Sequence, residues 1–286
     1  MFDVDLAVDI KINNMEFNRY FFEKVRRELM KYFYLYFGFS VTATGHLSFT
    51  RYFKLKKQQK LYNRQAQKSA VAFPVTKMEV YYEDKEDNAG DLCFHYFFQD
   101  LYVAQRIFQN KPVKHIDIGS RIDGFVAHVA SFREIEIYDI RPMQITIPNV
   151  QFQQCDLMNL SATHFECTDS ISSLHALEHF GLGRYGDDIC YDGYLSGFLN
   201  ISKMLKTNGK FYFSVPMGKQ RTEFHAHRVF SLKYLLEMLT PYYDIDCFSY
   251  IDDKNTLHEN IQISDDDLAD NFGCRMGCAL FELTKK

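Results

Sequence analysis

The stretch HIDIGSRIDG, residues 115–124, decides the fold that the sequence predicts. A short apolar run ends in an acidic residue, Asp117, and a glycine, Gly119, and a helical pattern follows through Ser131. A glycine directly after a strand lets the backbone approach a ligand closely because it has no Cβ. The stretch therefore predicts a strand-to-helix turn that borders a ligand.

Three more apolar runs downstream also end in a polar side chain, at Asp139, Asp156 and His175. Strands that alternate with helices form a mostly parallel sheet with helices on both faces. Ligands of such open sheets bind at the carboxyl ends of the strands. We therefore expect these three residues to surround one pocket together with Asp117, Gly119 and Ser120.

The spacing of these acids is typical of a nucleoside site. Asp139 follows the second strand, where a carboxylate accepts two hydrogen bonds from a ribose diol. Asp156 is placed to accept one from an adenine amine, with the Leu157 amide reading the ring nitrogen. Alternatively, the carboxylates cap the helices that follow them. Arg121 and Asp123 replace glycines that NAD would need for its pyrophosphate, which favours a nucleoside cofactor without phosphate.

A second cluster, HALEHFGLGRYGD at residues 175–187, follows the fourth strand. His179 or Glu178 could act as general base for a hydroxyl, because imidazole titrates near neutral pH. Arg184 and Tyr185 are candidate substrate contacts. Alternatively, Glu178 and His179 fix this loop through hydrogen bonds. Three closely spaced glycines imply a tightly folded backbone in this loop.

The third cluster is RTEFHAHR, residues 221–228. His225 and His227 would point to one side of an extended segment, and both are candidate catalytic bases. Arg228 could clamp an anionic substrate group. Glu223 and the two histidines could together hold a divalent metal. No further ligand is evident, so we expect no metal.

Composition limits the possible classes of protein. The net charge is -4 over 286 residues, which argues against nucleic-acid binding by phosphate neutralisation. The seven cysteines are scattered without a CxxC pair, as is typical of reduced thiols in a cytoplasmic protein. There is no signal peptide pattern, and no run of about eighteen apolar residues predicts a membrane span.

Composition shifts near residue 88, within the polar segment Glu83–Gly90. We predict a helical amino-terminal segment at residues 1–88 and an α/β domain at residues 89–286. Apolar residues at helical spacing predict an amphipathic helix over Met15–Phe39. The basic stretch Arg51–Lys68 is either a solvated face or a docking surface for an anionic substrate, a membrane surface or a partner. The whole segment would act as a lid, a dimer surface or a docking surface.

From about Cys93 to Leu239 the chain resembles an uncharacterised bacterial family of methyltransferase-like proteins, often found among surface-polysaccharide biosynthesis genes. The strings that carry this resemblance are HIDIGSRIDGFVAHVASF, IEIYDIRP, QCDL, SLHALEHFGLGRYGD, GKFYFSVPMG and FHAHRVFS. More distantly, the layout is similar to class I methyltransferases that depend on S-adenosylmethionine (SAM). The resemblance implies a Rossmann-like fold, with a mostly parallel seven-stranded sheet and an antiparallel edge strand.

By that likeness, Asp117 and Gly119 border the methionine part of SAM, Asp139 the ribose and Asp156 the adenine. The expected activity is O-methylation of a sugar or surface-glycan intermediate, by in-line transfer with a histidine as base. Arg121 and the displaced Gly124 favour an alternative, a SAM- or nucleotide-binding module without turnover. A glycan-assembly partner that docks through residues 51–68, and a homodimer, also stay open.

Overall fold

The computed structural model describes residues 40–41, 47–48, 50–71, 73, 75 and 94–286. The chain divides into two compact units, Met1–Asp91 and Leu92–Lys286. In the first unit, β1 (Ser40–Val41) pairs antiparallel with β2 (Leu47–Ser48) and helix α1 spans Thr50–Ala66. The basic stretch falls largely on α1. Its lysines at positions 54, 56, 57 and 60 are exposed. The predicted helix over Met15–Phe39 and the segment Glu83–Gly90 lie outside the described residues.

An eight-stranded sheet forms the centre of the second unit. Its strands are β3 (His115–Ile118), β4 (Ile135–Asp139), β5 (Val150–Gln154), β6 (Thr168–Leu174), β7 (Leu205–Met217), β10 (Tyr243–Ile251), β11 (Leu257–His258) and β12 (Gly277–Lys285). A separate hairpin consists of β8 (Arg221–Glu223) and β9 (His227–Val229).

The order of the strands is β11-β10-β12-β7-β6-β3-β4-β5. Strands β3 to β7 are parallel, and β12 runs antiparallel to both of its neighbours. The chain proceeds outward from β3 to β5 and then returns to β6 on the other side of β3. The order of strands therefore reverses between β3 and β6, which is where open α/β sheets bind ligands.

The last long strand, β12, lies inside the sheet and not at its edge. It separates β7 from β10, and the short strand β11 is the antiparallel edge strand and the eighth member. In β12, residues Cys278, Ala279, Leu280 and Phe281 are all buried. A strand that is apolar on both faces is more stable between neighbours than at an edge.

Two helical layers cover the sheet. Helices α2 (Phe94–Asn110) and α3 (Ala127–Ala130) pack on one face, and α4 (Gly193–Met204) and α5 (Leu232–Leu239) pack on the other. Helix α6 (Asp265–Asp270) follows β11. Along β7, Tyr212 faces the α2 layer while Phe211 and Phe213 face the α4 layer, as the two-residue period of a strand requires. The predicted Rossmann-like fold with a mostly parallel sheet is confirmed, but the sheet has eight strands and not the predicted seven.

Candidate functional site

A cleft opens at the carboxyl ends of β3 to β6, where the strand order reverses. Five of the residues expected at a cofactor pocket line it: Gly119, Asp139, Asp156, Leu157 and His175. A larger open cavity adjoins this cleft and shares Gly119, Arg141, His175, His179 and Tyr185 with it. The structure thus brings together residues from four separate strand ends.

Asp117 lies beneath the cleft and does not line it. The side chain is fully buried and accepts hydrogen bonds from the backbone amide of Ser120 at 3.0 Å, the Ser120 hydroxyl at 2.8 Å and the Ser172 hydroxyl at 2.5 Å. Burial raises the pKa of Asp117 to about 6, although these hydrogen bonds oppose the shift. Asp117 therefore holds the shape of the turn, while Ser120 lines the larger cavity.

The altered glycine turn leaves the cleft open. Gly119 has a φ of 69°, and a Cβ there would lie 3.2 Å from the Cβ of Ala176. The Arg121 guanidinium bonds to the Asp123 carboxylate at 3.1 and 2.9 Å, with both side chains largely exposed. Arg121 lines only the larger of the two cavities. It therefore does not occupy the place of a cofactor in the cleft.

The Asp139 carboxylate, expected to bind a ribose, is engaged by Arg141. Oδ1 accepts from the Arg141 amide at 2.8 Å and from Nε at 3.0 Å, and Oδ2 accepts from Nη2 at 2.6 Å. A carboxylate offers about four acceptor positions, so one remains. The Arg141 guanidinium also lies 4.6 Å from the centre of the Tyr185 ring. Sequence reasoning missed this pair because a local i,i+2 contact leaves no trace in hydrophobic periodicity.

Asp156 acts as a cap as well as lining the cleft. Oδ1 accepts from the Met158 amide at 2.9 Å, and Oδ2 accepts from the Asn159 side-chain amide at 2.7 Å. These bonds start the short 3₁₀ turn at Leu157–Asn159. The capping alternative raised for the strand-end acids therefore describes what Asp156 does in this structure.

The glycine-rich loop after β6 folds around its own carboxylate, that of Asp187. This side chain accepts from the backbone amides of Gly181 at 2.8 Å, Gly183 at 3.1 Å and Tyr185 at 3.1 Å. Gly181, Gly183 and Gly186 all have positive φ, which lets the chain turn this tightly. Burial opposes the charge, but the amides outweigh it and lower the pKa of Asp187.

His175 and Glu178 form a buried pair, with Nδ1 and Oε1 2.9 Å apart. Burial acts against the charged form of each. For His175, the neighbouring Cys278 and Glu178 outweigh burial and raise the pKa well above its usual value. For Glu178, the contacts with His175 and His179 outweigh it and lower the pKa. Glu178 thus positions a histidine, in agreement with the structural alternative for this residue.

His179 lies where the cleft and the larger cavity meet. Its Nδ1 lies 2.6 Å from the backbone oxygen of Ala226. Since a carbonyl oxygen only accepts, Nδ1 carries the proton, and Nε2 of the neutral ring is the proton acceptor. Nε2 lies 3.7 Å from Oε1 of Glu178.

The prediction that His225 and His227 share a face is wrong. The chain turns at residues 224–226 between β8 and β9, and His225 sits in this turn with a φ of 65° and its side chain exposed. His227 is half-buried, lines the larger cavity, and lies 3.3 Å from Glu223. A turn breaks the strand period on which the prediction depended. Glu223, His225 and His227 do not converge as metal ligands.

The two arginines expected at the substrate have different positions. Arg228 is buried and donates to the backbone oxygens of Phe180 at 2.6 Å, Tyr191 at 3.0 Å and Glu178 at 3.3 Å. Its donors brace the loop, so the predicted clamp on an anionic substrate is wrong. Arg184 is exposed, lines the larger cavity and donates to the Ala226 oxygen at 3.1 Å.

Helix α2 supplies site residues that the sequence analysis did not select. His95, Tyr96 and Asp100 line the larger cavity. Burial raises the pKa of Asp100 to about 6. The signal for this helix was present, since Val103 and Ile107 are one helical turn apart and fully buried. Its position next to the carboxyl end of β6 depends on tertiary packing, which local sequence patterns do not indicate.

Comparisons with known proteins give a family model and structural neighbours. The model described as "Caenorhabditis protein of unknown function, DUF268" matches residues 134–272. This range includes Asp139, Asp156 and the loop at residues 175–187, but not Asp117 or Gly119. No curated protein matches the chain. The family description names Caenorhabditis, so the bacterial origin and polysaccharide context expected from the sequence have no support here.

The neighbours among solved structures include the N-methyltransferase NodS from Bradyrhizobium japonicum WM9, solved with S-adenosyl-L-homocysteine. It is 14% identical, with 67% of this chain and 88% of that chain covered and a TM-score of 0.43. A Burkholderia thailandensis 1,6-didemethyltoxoflavin-N1-methyltransferase is 12% identical, with 87% and 95% covered and a TM-score of 0.46. The [4+2]-cyclase SpnF is 16% identical, with 66% and 80% covered and a TM-score of 0.47. Likeness at this level concerns the fold and does not transfer an activity.

No helix in the described part of the chain is long and apolar enough to cross a membrane.

Proposed function

We propose that this chain is a SAM-dependent methyltransferase that binds SAM in the cleft and an acceptor in the larger cavity. The observation that carries the proposal is the position of His179, which lines both spaces. An oriented imidazole at such a junction can take a proton from an acceptor while the acceptor faces the methyl group. Proximity and alignment then supply most of the rate acceleration.

The cleft residues fit the parts of an adenosyl group. Gly119 allows the ligand to approach the backbone after β3. Asp139 retains one acceptor position for a ribose hydroxyl, and a full diol contact requires Arg141 to move aside. Asp156 and Leu157 also line the cleft and would contact the adenine. His175 closes the wall next to β6.

The acceptor that we propose is a hydroxyl of a polar molecule, with a sugar intermediate as the specific candidate. The larger cavity offers the rings of Tyr96 and Tyr185 and the charged Arg184, and sugars pack on aromatic rings through their apolar faces. When bound, SAM supplies an activated methyl group. The acceptor oxygen bonds to the methyl carbon, the carbon–sulfur bond breaks, and the hydroxyl proton passes to Nε2 of His179. S-adenosylhomocysteine is the second product.

Calorimetry with SAM and S-adenosylhomocysteine tests the binding part. We expect Asp139→Ala to weaken the binding of both ligands and His179→Ala to leave it unchanged. Asp123→Ala is the matched control, because Asp123 is an exposed carboxylate that does not line the cleft. Absence of heat with the unaltered protein at about 1 mM ligand, a binding free energy weaker than about -4 kcal/mol, would reject SAM as the cofactor.

Transfer of a labelled methyl group to a panel of sugars tests the catalytic part. His179→Ala should lower the rate about 10²–10⁴-fold, as expected for loss of a general base, with SAM affinity unchanged. The alternative is a SAM-binding module without turnover, and the observation in its favour is the guanidinium of Arg141 on Asp139. That alternative predicts that the unaltered protein and His179→Ala both bind SAM and that neither transfers a methyl group to any acceptor.

A further inference from the structure

Three potential metal ligands converge beside the larger cavity. His95 lies in the first turn of α2, His175 directly follows β6, and Cys278 is the second residue of β12. One ligating atom from each lies within 4.8 Å of those from the other two. Imidazole nitrogen and thiolate sulfur are the donors that Zn²⁺ prefers in proteins. The three residues are far apart in the sequence, and neither their spacing nor any CxxC pattern indicates them.

Glu178 holds His175 in an orientation that suits a metal ligand. Nδ1 of His175 lies 2.9 Å from Oε1 of Glu178, so the carboxylate holds the Nδ1 proton, and Nε2 gives up its own proton when it binds the ion. Nε2 is buried and has no hydrogen-bond partner among the described residues. A carboxylate that holds one nitrogen of a histidine while the other binds the ion is the recurrent outer shell of zinc sites. Glu178 would be the positioning residue.

The other two ligands have suitable surroundings. His95 is half-buried and lines the larger cavity. The Cys278 side chain is fully buried, with Sγ 3.7 Å from Oε1 of Gln99. A buried thiol is out of reach of a substrate carbon, which argues against a cysteine nucleophile. An ion can enter from the cavity, which His95 and His175 line.

We propose that His95, His175 and Cys278 bind one Zn²⁺ ion, positioned by Glu178, with the fourth coordination position open to the larger cavity. Tetrahedral zinc places such donors about 3.4–3.6 Å apart, and the three ligating atoms lie within 4.8 Å of one another. Binding releases the protons of the Cys278 thiol and of His175 Nε2 to solvent. Three protein ligands with an open position are the arrangement of a reactive zinc rather than a structural one. The proposal does not depend on methyl transfer.

The test uses the full chain, freed of metal with a chelator and then titrated with Zn²⁺ or Co²⁺. We expect one ion per chain and, with Co²⁺, a thiolate-to-metal charge-transfer band together with tetrahedral d–d bands. Cys278→Ser should abolish the charge-transfer band, and His95→Ala should weaken affinity at least about 100-fold. Glu178→Gln should weaken it about 10–100-fold while the band persists.

Two cysteine variants are the matched controls. Cys190 is exposed and Cys274 is buried, and neither belongs to the cluster, so Cys190→Ser and Cys274→Ser should keep both stoichiometry and spectrum. The unaltered protein tests the proposal even if a variant fails to fold. Absence of a stoichiometric ion, or a bound Co²⁺ without a thiolate band, would overturn it. Loss of the band in a control variant rather than in Cys278→Ser would do the same.

Discussion

Arg141 competes with the proposed cofactor for Asp139, so its removal should strengthen binding. The guanidinium and amide of Arg141 use three of about four acceptor positions on the carboxylate. A ribose diol needs two of these positions. We therefore expect Arg141→Ala to bind SAM more tightly than the unaltered protein.

The magnitude follows from the exposure of the pair. The Asp139 side chain is 14% exposed, but that of Arg141 is 51% exposed. Solvent screening limits such a pair to about 1 kcal/mol even with two-pronged geometry, and 1.4 kcal/mol corresponds to a factor of ten. Displacing the guanidinium therefore costs the ligand about fivefold in affinity. Arg141→Ala should therefore bind SAM about fivefold more tightly than the unaltered protein. Added salt should reduce this difference in affinity.

Calorimetry on the unaltered protein, Arg141→Ala, Asp139→Ala and the double variant distinguishes competition from direct contact. Arg141→Ala should have no effect in an Asp139→Ala background, because the arginine acts only through that carboxylate. Arg121→Ala is the matched control, since Arg121 makes the same two-pronged i,i+2 pair with Asp123 outside the cleft. Weaker binding in Arg141→Ala would refute the reasoning and show that the guanidinium contacts the ligand itself.

Three further predictions concern the glycine turns and two carboxylates. Gly119→Ala should destabilise the protein by about 1–3 kcal/mol and weaken SAM binding, because of its positive φ and the nearby Cβ of Ala176. Gly186→Ala, at positive φ with open space around it, should lower only stability in the same urea titrations. Asp100 has a pKa raised from 3.8 to about 6, so its ionisation penalises the folded state increasingly between about pH 4 and 6. Asp100→Asn removes this penalty, so its free energy of unfolding should come to exceed that of the unaltered protein by up to about 3 kcal/mol as pH rises across that window. Parallel pH profiles of the two proteins would contradict this. Asp187 has a lowered pKa, so its stabilisation is present above about pH 4 and is lost as pH falls through the folded-state value. Asp187→Asn should therefore cost about 1–2 kcal/mol at pH 7 and progressively less in acid, and a constant difference would exclude this role.

Local sequence predicted the architecture of the α/β unit well. Apolar runs marked the central strands, and the polar residue after each run marked its carboxyl end. Gly119, Asp139, Asp156 and His175 meet at one cleft as expected, because parallel strands bring their carboxyl ends to the same edge. The antiparallel closing strand was also predictable, but not its place between β7 and β10.

The chemistry of the site depended on contacts that periodicity does not encode. Asp139 is paired with Arg141, Arg228 donates to backbone carbonyl oxygens, and His225 lies in a three-residue turn that ends just before His227. Each is set by the direction of one side chain or one backbone dihedral. Patterns of apolar and polar residues report which face is buried and leave such directions open.

The sequence by itself determined the order of strands and helices, the ligand-binding edge and the residues at its rim. Those properties follow from the periodicity of apolar residues, and from the tight turn that a glycine allows directly after a strand. Only the tertiary structure decided which side chains meet across long separations. His95, His175 and Cys278 converge because α2 packs on the sheet and β12 inserts beside β7. Long-range pairing of this kind is a property of the packed chain and not of any segment.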